Sequence, residues 1–217
     1  MTRDQARGLL CIWTDVDPAH ESDFNRWYDR EHMQERVAIP GFQSARRFAA
    51  TGACPRPYLA LYYTDSLDVF RSQPYAQAFA NQTPWSLENF KRMRGTQRRV
   101  GELSLEAGQA GGEGGTLAAF VVPAGQVADA GVLARLQQGL GEVTKEDFVL
   151  RTALLRTDAK LSTPVTADAV PAPADALVML EASRLEPALR HAQALAAGAG
   201  VPASEVYTFQ LLWRLGS

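Results

Sequence analysis

The run DFNRWYDREHMQERVAIPGF, Asp23 to Phe42, brings carboxylates, an imidazole and aromatic rings together in a stretch with helical periodicity. At about 100° per residue, Trp27, Tyr28, Glu31, Glu35 and Ala38 fall within roughly 60° of Phe24, so two glutamates lie inside an aromatic stripe. His32 falls on the flank of that stripe, at about 80°. Glu31 and Glu35, four residues apart, repel one another unless a cation or a pocket relieves them.

Two chemistries follow, and the sequence leaves both open. In the first, Arg46 or Arg47, on the strand after IPGF, takes Glu31 as a buried bidentate pair that fixes how the helix sits on its sheet. In the second, Glu31 or His32 faces a pocket lined by Trp13, Trp27, Tyr28 and Tyr62, with Arg46 also touching the ligand. Desolvation there raises a carboxyl pKa into the range useful for proton transfer.

A metal is not expected. Asp29, His32 and Glu35 offer ligand types at i, i+3 and i+6 but spread over more than about 100° of arc, and no second histidine follows His32 at i+4. His191, in LRHAQALAAG, reads as a surface or interface residue. Neither a P-loop, a dinucleotide fingerprint, a GxSxG elbow nor an HExxH pair is present in the sequence, so nucleotide binding and the common hydrolytic mechanisms lack their apparatus.

The elements that must position these residues occur twice. GLLCIWTD, Ser22 to Ala38, FQSARRFAA, YLALYYTD and LDVFRSQPYAQAFAN read as βαββα, and a further strand is expected within 90–103. SLEAGQAGGEGG then reads as a linker, because so many glycines resist ordering. After it TLAAFVVPA, VLARLQQGLGEV, FVLRTALLRTDA, ALVMLEAS, LEPALRHAQALAAGAG and VYTFQLLWRL spell βαββαβ. The organisation is therefore repeat 1 at 1–105, a Gly-rich linker at 106–115 and repeat 2 at 116–217.

Such a repeat is a ferredoxin-like, four-stranded antiparallel sheet with both helices on one face. Here Leu9, Cys11 and Trp13 alternate with Leu10 and Ile12, so both sheet faces need cover. The second face is covered if the two sheets pack face to face, which gives an α+β fold, a pseudo-dimeric α/β barrel within one chain. IPGF is a stop-and-reverse signal: Pro40 ends the helix and Gly41 supplies a positive φ.

With 22 basic and 24 acidic residues the formal charge is −2, which gives no general reason to bind nucleic acid or an anionic membrane. KRMRGTQRR, Lys91 to Arg99, reads as a solvated face or a charge-guarded strand edge. No apolar run approaches the roughly 18 to 20 residues of a membrane span, and the Leu9–Trp13 run is too short for a signal peptide. Cys11 and Cys54 form no CxxC, which fits a reducing cytoplasm, with Cys11 as a buried structural thiol.

A strand followed by DFNRWYDREH, IPGF and ARRF resembles the dimeric α/β-barrel superfamily, and within it EthD-like and related bacterial proteins. The fold likeness spans nearly the whole chain. The motif covers about twenty residues of repeat 1 only, and repeat 2 has no WYDREH, so the expected site is asymmetric. The resemblance implies a small-molecule-binding barrel, either a cofactor-independent monooxygenase or an isomerase acting on an aromatic or polyketide-like compound. It leaves two alternatives: a non-catalytic assembly module in which Glu31 pairs with arginine, and a haem-binding barrel with His32 or His191 axial. A homodimer of the joined barrel is compatible with all three.

Overall fold

A computed structural model describes residues 6–109, 112–163 and 170–216. Repeat 1 opens with β1 (Gly8–Val16) and a helical rod made of α1 (Glu21–Trp27), a π-helical turn (Tyr28–His32) and α2 (Met33–Val37). It continues with β2 (Phe42–Ala50), β3 (Tyr58–Thr64), α3 (Gln73–Ala80), α4 (Pro84–Arg92) and β4 (Met93–Gly108). Repeat 2 contains β5 (Thr116–Val122), α5 (Ala124–Val127), α6 (Ala130–Val143) and β6 (Val149–Thr157). The short α7 (Ala159–Ser162), β7 (Ala176–Ala182), α8 (Leu185–Gly198) and β8 (Tyr207–Gly216) complete it.

Each repeat forms one antiparallel sheet, ordered β4-β1-β3-β2 and β8-β5-β7-β6. The edges then join, β2 to β8 and β4 to β6, into a closed eight-stranded barrel. Closure satisfies the backbone of strands that would otherwise be edges. The expected α+β pair of ferredoxin-like repeats is thus present, with its facing sheets sealed at both seams.

Alternation along the strands divides the side chains. Leu9, Cys11 and Trp13 stand opposite Tyr63, Leu61 and Leu59 of β3, and all six fill the barrel interior with Phe48, Leu117, Leu155 and Phe209. The alternate residues Leu10, Tyr62 and Val100 face outward onto the helices of repeat 1. In repeat 2, Ala118, Phe120, Val178 and Leu180 do the same beneath α6 and α8. There are therefore three apolar layers: the interior, and one helix–sheet layer on each repeat.

β4 is the longest strand because it serves both seams, pairing with β1 and, past Gly101, with β6. Gly101 is required there, since a Cβ would lie 1.9 Å from the Arg156 carbonyl oxygen. The lysine- and arginine-rich run is divided: Lys91 and Arg94 are exposed to solvent, as a solvated face requires, and Arg99 is not. Arg99 is buried in the barrel, bidentate to Asp175 at 2.9–3.1 Å, because its position in the β4 alternation points inward. Gly41 has φ +92°, as the IPGF turn requires. Cys11 is buried, and burial pushes its thiol up to about 12.

The two helix layers differ in how tightly they close. In repeat 2, α8 is continuous and lays Ala188, Ala192 and Ala196, all fully buried, on β5 and β7. Small side chains let that helix approach closely and leave the layer filled. In repeat 1 the corresponding segment is broken into α3 and α4, each with a proline in its first turn. A proline there starts a helix readily but cannot continue the one before it. α4 leans on α1, and α3 on the turn at Leu67–Arg71, so the sheet beneath them is left partly uncovered.

Candidate functional site

The uncovered region is a cavity of about 300 Å³ between the outer face of the first sheet and its helices. Leu10 and Ile12 of β1 and Tyr62 of β3 form its floor, and its walls come from Tyr28, His32 and Arg36 of the helical rod, Tyr75 and Phe79 of α3, and Phe90 of α4, which packs against His32. Thr96 and Arg98 of β4, Gln82 and Met93 complete it. Its lining is mainly apolar and aromatic, with a few convergent polar groups, the usual character of a small-molecule site.

The π turn decides which residues reach it. The Met33 N–H donates to the Tyr28 carbonyl, five residues back, so one extra residue is accommodated in the turn. From the end of the turn onward, His32 included, each residue takes the angular position its predecessor would occupy in a regular α-helix. His32 thus occupies the place expected for Glu31, and Arg36 that expected for Glu35. Both are buried.

The predicted residues separate accordingly. Tyr28, His32 and Tyr62 line the cavity. Trp27 is fully buried behind it, its ring 4.2 Å from the imidazole and its Nε1 donating to Ser86 Oγ at 3.0 Å. Glu31 is turned away and accepts from Thr83 Oγ1 at 2.5 Å and from Ser86 Oγ at 3.4 Å. It therefore clamps the first turn of α4 to the rod, and the expected Glu31–arginine pair is not formed.

Both arginines are engaged elsewhere. Arg46 alternates into the barrel interior, where it donates to Glu181 at 2.6 Å and to the Gly114 carbonyl at 3.1 Å. Arg47 lies among the rings of Phe24, Tyr28 and Tyr58 and donates to Asn25 at 2.5 Å and Asp29 at 3.4 Å. Trp13 also belongs to the interior, edge-on to Tyr207 and Phe209. Trp13 and Arg46 do not line the cavity, since strand alternation points them to the other side of the sheet. Asp29 reaches Arg47 and Trp213, away from His32. Among the described residues no group of three or more His, Cys, Asp or Glu side chains is placed to hold a metal. His191 is on the outside of α8 beside Arg190.

The electrostatics of the cavity are set by burial and by guanidinium groups. Burial, reinforced by the positive charges of Arg36 and Arg47, holds the His32 imidazole well below its usual range, so it is neutral near pH 7. Its Nδ1 is buried without a hydrogen-bond partner. Burial likewise raises Tyr62 well above the normal phenol value, with Tyr28 beside it, and raises Tyr28 in turn. The Tyr62 hydroxyl is buried and unpartnered.

Sequence reasoning missed Arg36, Tyr75, Gln82 and Arg98. Tyr75 and Phe79 carried a readable signal, being four residues apart on one short helix and so on one face. Arg36 depended on the π turn.

No family model matches the chain, and no curated protein does. Solved structures match over nearly its whole length. An anthrone oxidase-like protein superposes with a TM-score of 0.64 at 14% identity, covering 98% of this chain and 94% of the other. A candidate monooxygenase from Fusobacterium nucleatum gives 0.57 at 9% identity, over 99% and 96%. A haem-binding protein from Thermus thermophilus gives 0.51 at 10% identity, over 96% and 92%. The chain has the dimeric α/β-barrel fold, both halves supplied in tandem. The narrower EthD-like resemblance rests on the DFNRWYDREH and IPGF motif alone. No helix among the described residues is long and apolar enough to cross a membrane.

Proposed function

We propose that the cavity of repeat 1 binds a small aromatic compound and that the chain acts on it without a cofactor, by abstracting a proton. The observation that carries this reading is His32, a buried imidazole that lines an aromatic cavity and whose Nδ1 has no hydrogen-bond partner. A neutral imidazole is the form that accepts a proton. Its protonated form is disfavoured by burial and by the charges of Arg36 and Arg47, but becomes tolerable once the ligand carries the complementary negative charge. Arg36 and Arg98 border the space in which that anion would form, and preorganised donors of this kind stabilise developing charge.

Two outcomes suit such an anion. Reaction with dioxygen as second substrate gives a monooxygenase, and return of the proton to a different carbon gives an isomerase. The anthrone oxidase-like neighbour favours the first, since an anthrone is a carbon acid whose conjugate base is delocalised over fused rings. Tyr28, Tyr62, Phe79 and Phe90 supply faces and edges against which such rings pack.

Haem does not fit the residues present. The tetrapyrrole is too large for about 300 Å³, the His32 ring is packed on Trp27, and its Nδ1 lacks the carboxylate or carbonyl that orients an axial histidine. The equivalent layer of repeat 2 is filled by Ala188, Ala192 and Ala196.

The test is oxygen uptake with dithranol, a fused-ring anthrone. Turnover by the wild type, lost in His32→Ala and kept in Glu31→Gln, supports the assignment. Binding without turnover would leave a ligand-binding barrel and overturn the enzymatic reading.

A further inference from the structure

Charge in the cavity wall is unbalanced. Among the described residues that line it are two guanidinium groups, Arg36 and Arg98, and no carboxylate. Arg98 is largely satisfied, donating to the Leu161 carbonyl and to Tyr75 Oη. Arg36 is not. It is 6% exposed, its Nε has no hydrogen-bond partner, and its Nη2 makes only long contacts, 3.5 Å to the Ala78 carbonyl and 3.4 Å to Gln82 Oε1. Its one ion pair among the described residues is with Glu35 at 3.8 Å. A buried guanidinium with unmet donors and a distant counter-charge is costly unless something else supplies the anion.

We infer that the ligand carries a carboxylate and that Arg36 is the residue that receives it. The guanidinium fork matches a carboxylate in two parallel hydrogen bonds, which the present contacts of Arg36 do not exploit. Arg98 stands beside Tyr75, near the start of α3, while Arg36 reaches Ala78 and Gln82 at its end. The anionic group is thereby directed to the α2 side of the cavity, and the rings extend toward β4 over the Tyr62 floor. The size is bounded as well: about 300 Å³ is roughly ten times the ~30 Å³ that one water occupies in the liquid, which suits two or three fused rings with a small substituent. This assignment rests on the proposed ligand-binding role of the cavity and narrows it to an aromatic acid.

Calorimetric titration of the full chain with 2-naphthoate and with its neutral isostere 2-naphthamide tests it. The wild type should bind the acid at least tenfold more tightly than the amide. Arg36→Gln should abolish that preference while changing amide affinity less than threefold, and Arg36→Lys should retain part of it. If a thermal melt shows that Arg36→Gln is unfolded, Arg36→Lys, which keeps the charge but loses the fork, carries the test, with a loss of at least threefold in the preference expected. Equal binding of acid and amide by the wild type, or a preference that survives the substitution, overturns the carboxylate assignment and leaves the proposed function standing. Binding of neither compound overturns both.

Discussion

The rings of Trp27 and His32 lie 4.2 Å apart, centroid to centroid, and are inclined by only 31°. Tyr28 and Phe90 approach the same imidazole edge-on, so it is held on three sides by aromatic surface. This packing places an ionisable group in a site that suits only its neutral form. Burial first, then Arg36 and Arg47, depresses its pKa.

A pH dependence of stability follows. In the unfolded chain His32 takes up a proton near pH 6.5. In the fold it does so only well below that. The unfolded state therefore binds more protons in this window, and stability, complete above about pH 7, falls as pH drops below about 6.5. Urea unfolding at intervals between pH 8 and 5 should show this decline in the wild type, and a flatter profile in His32→Phe. Identical slopes would mean that the imidazole titrates normally.

Glu31 has a different role, as a clamp between the rod and α4. Thr83 is the N-cap of α4, accepting from the Ser86 N–H at 3.0 Å, and its hydroxyl proton goes to Glu31. Glu31→Ala should cost about 1.5–3 kcal/mol, the scale for hydrogen bonds to a charged group. Glu31→Gln should cost less, since the amide oxygen still accepts. Neither should change ligand affinity by more than about twofold, equivalent to less than 0.5 kcal/mol. Denaturation midpoints and titration calorimetry on the same samples separate the two effects.

How much of this was legible in the sequence depends on which physical rule governs each residue. Strand alternation and the doubled βαββαβ order are local and periodic, so the repeats, the α+β barrel and the burial of Cys11 could be read directly. The placement of Tyr28 and Tyr62 follows from the same periodicity. Glu31, His32 and Arg36 could not be assigned by a regular wheel, because a single i+5 hydrogen bond exchanges their positions. Trp13 and Arg46 were read onto the wrong side of the sheet because both faces of the first sheet are apolar, and composition cannot then tell interior from helix layer. The opening under α3 and α4 depended on helix length and direction, which Pro74 and Pro84 hint at without fixing.

Asp23 makes the second tie between α1 and α4. It accepts from Trp85 Nε1 at 3.0 Å and from Arg92 Nη1 at 2.7 Å, with Asn89 and Arg26 also donating. The Trp85 hydrogen bond leads these in holding its carboxyl down at about 2. A depressed acid stabilises the fold above its unfolded pKa, here about 3.8, and that contribution disappears as pH falls toward 2. Acid titration followed by Trp fluorescence should show α4 loosening in this window. Asp23→Asn should lower stability at pH 7 and remove the transition, and an unchanged acid profile in the variant would contradict the assignment.

Arg46 and Glu181 test the joining of the two halves, because they lie on β2 and β7, in different repeats, and meet inside the barrel at 2.6 Å. Glu181 also accepts from the Gly114 N–H at 3.2 Å and faces Arg151 at 3.8 Å, so its charge is balanced from both sides. Removing Arg46 alone, as in Arg46→Met, leaves the buried Glu181 with only the Gly114 N–H and the more distant Arg151 and should cost about 3–5 kcal/mol. Changing both, as in Arg46→Met with Glu181→Leu, removes the desolvation cost together with the attraction and should recover most of that loss. A double variant no more stable than Arg46→Met would show that the pair contributes through Arg151 and Gly114 as well. The cavity lies on the far side of the first sheet from Arg46, so naphthoate affinity should remain within about twofold, or ~0.4 kcal/mol, in every variant that folds.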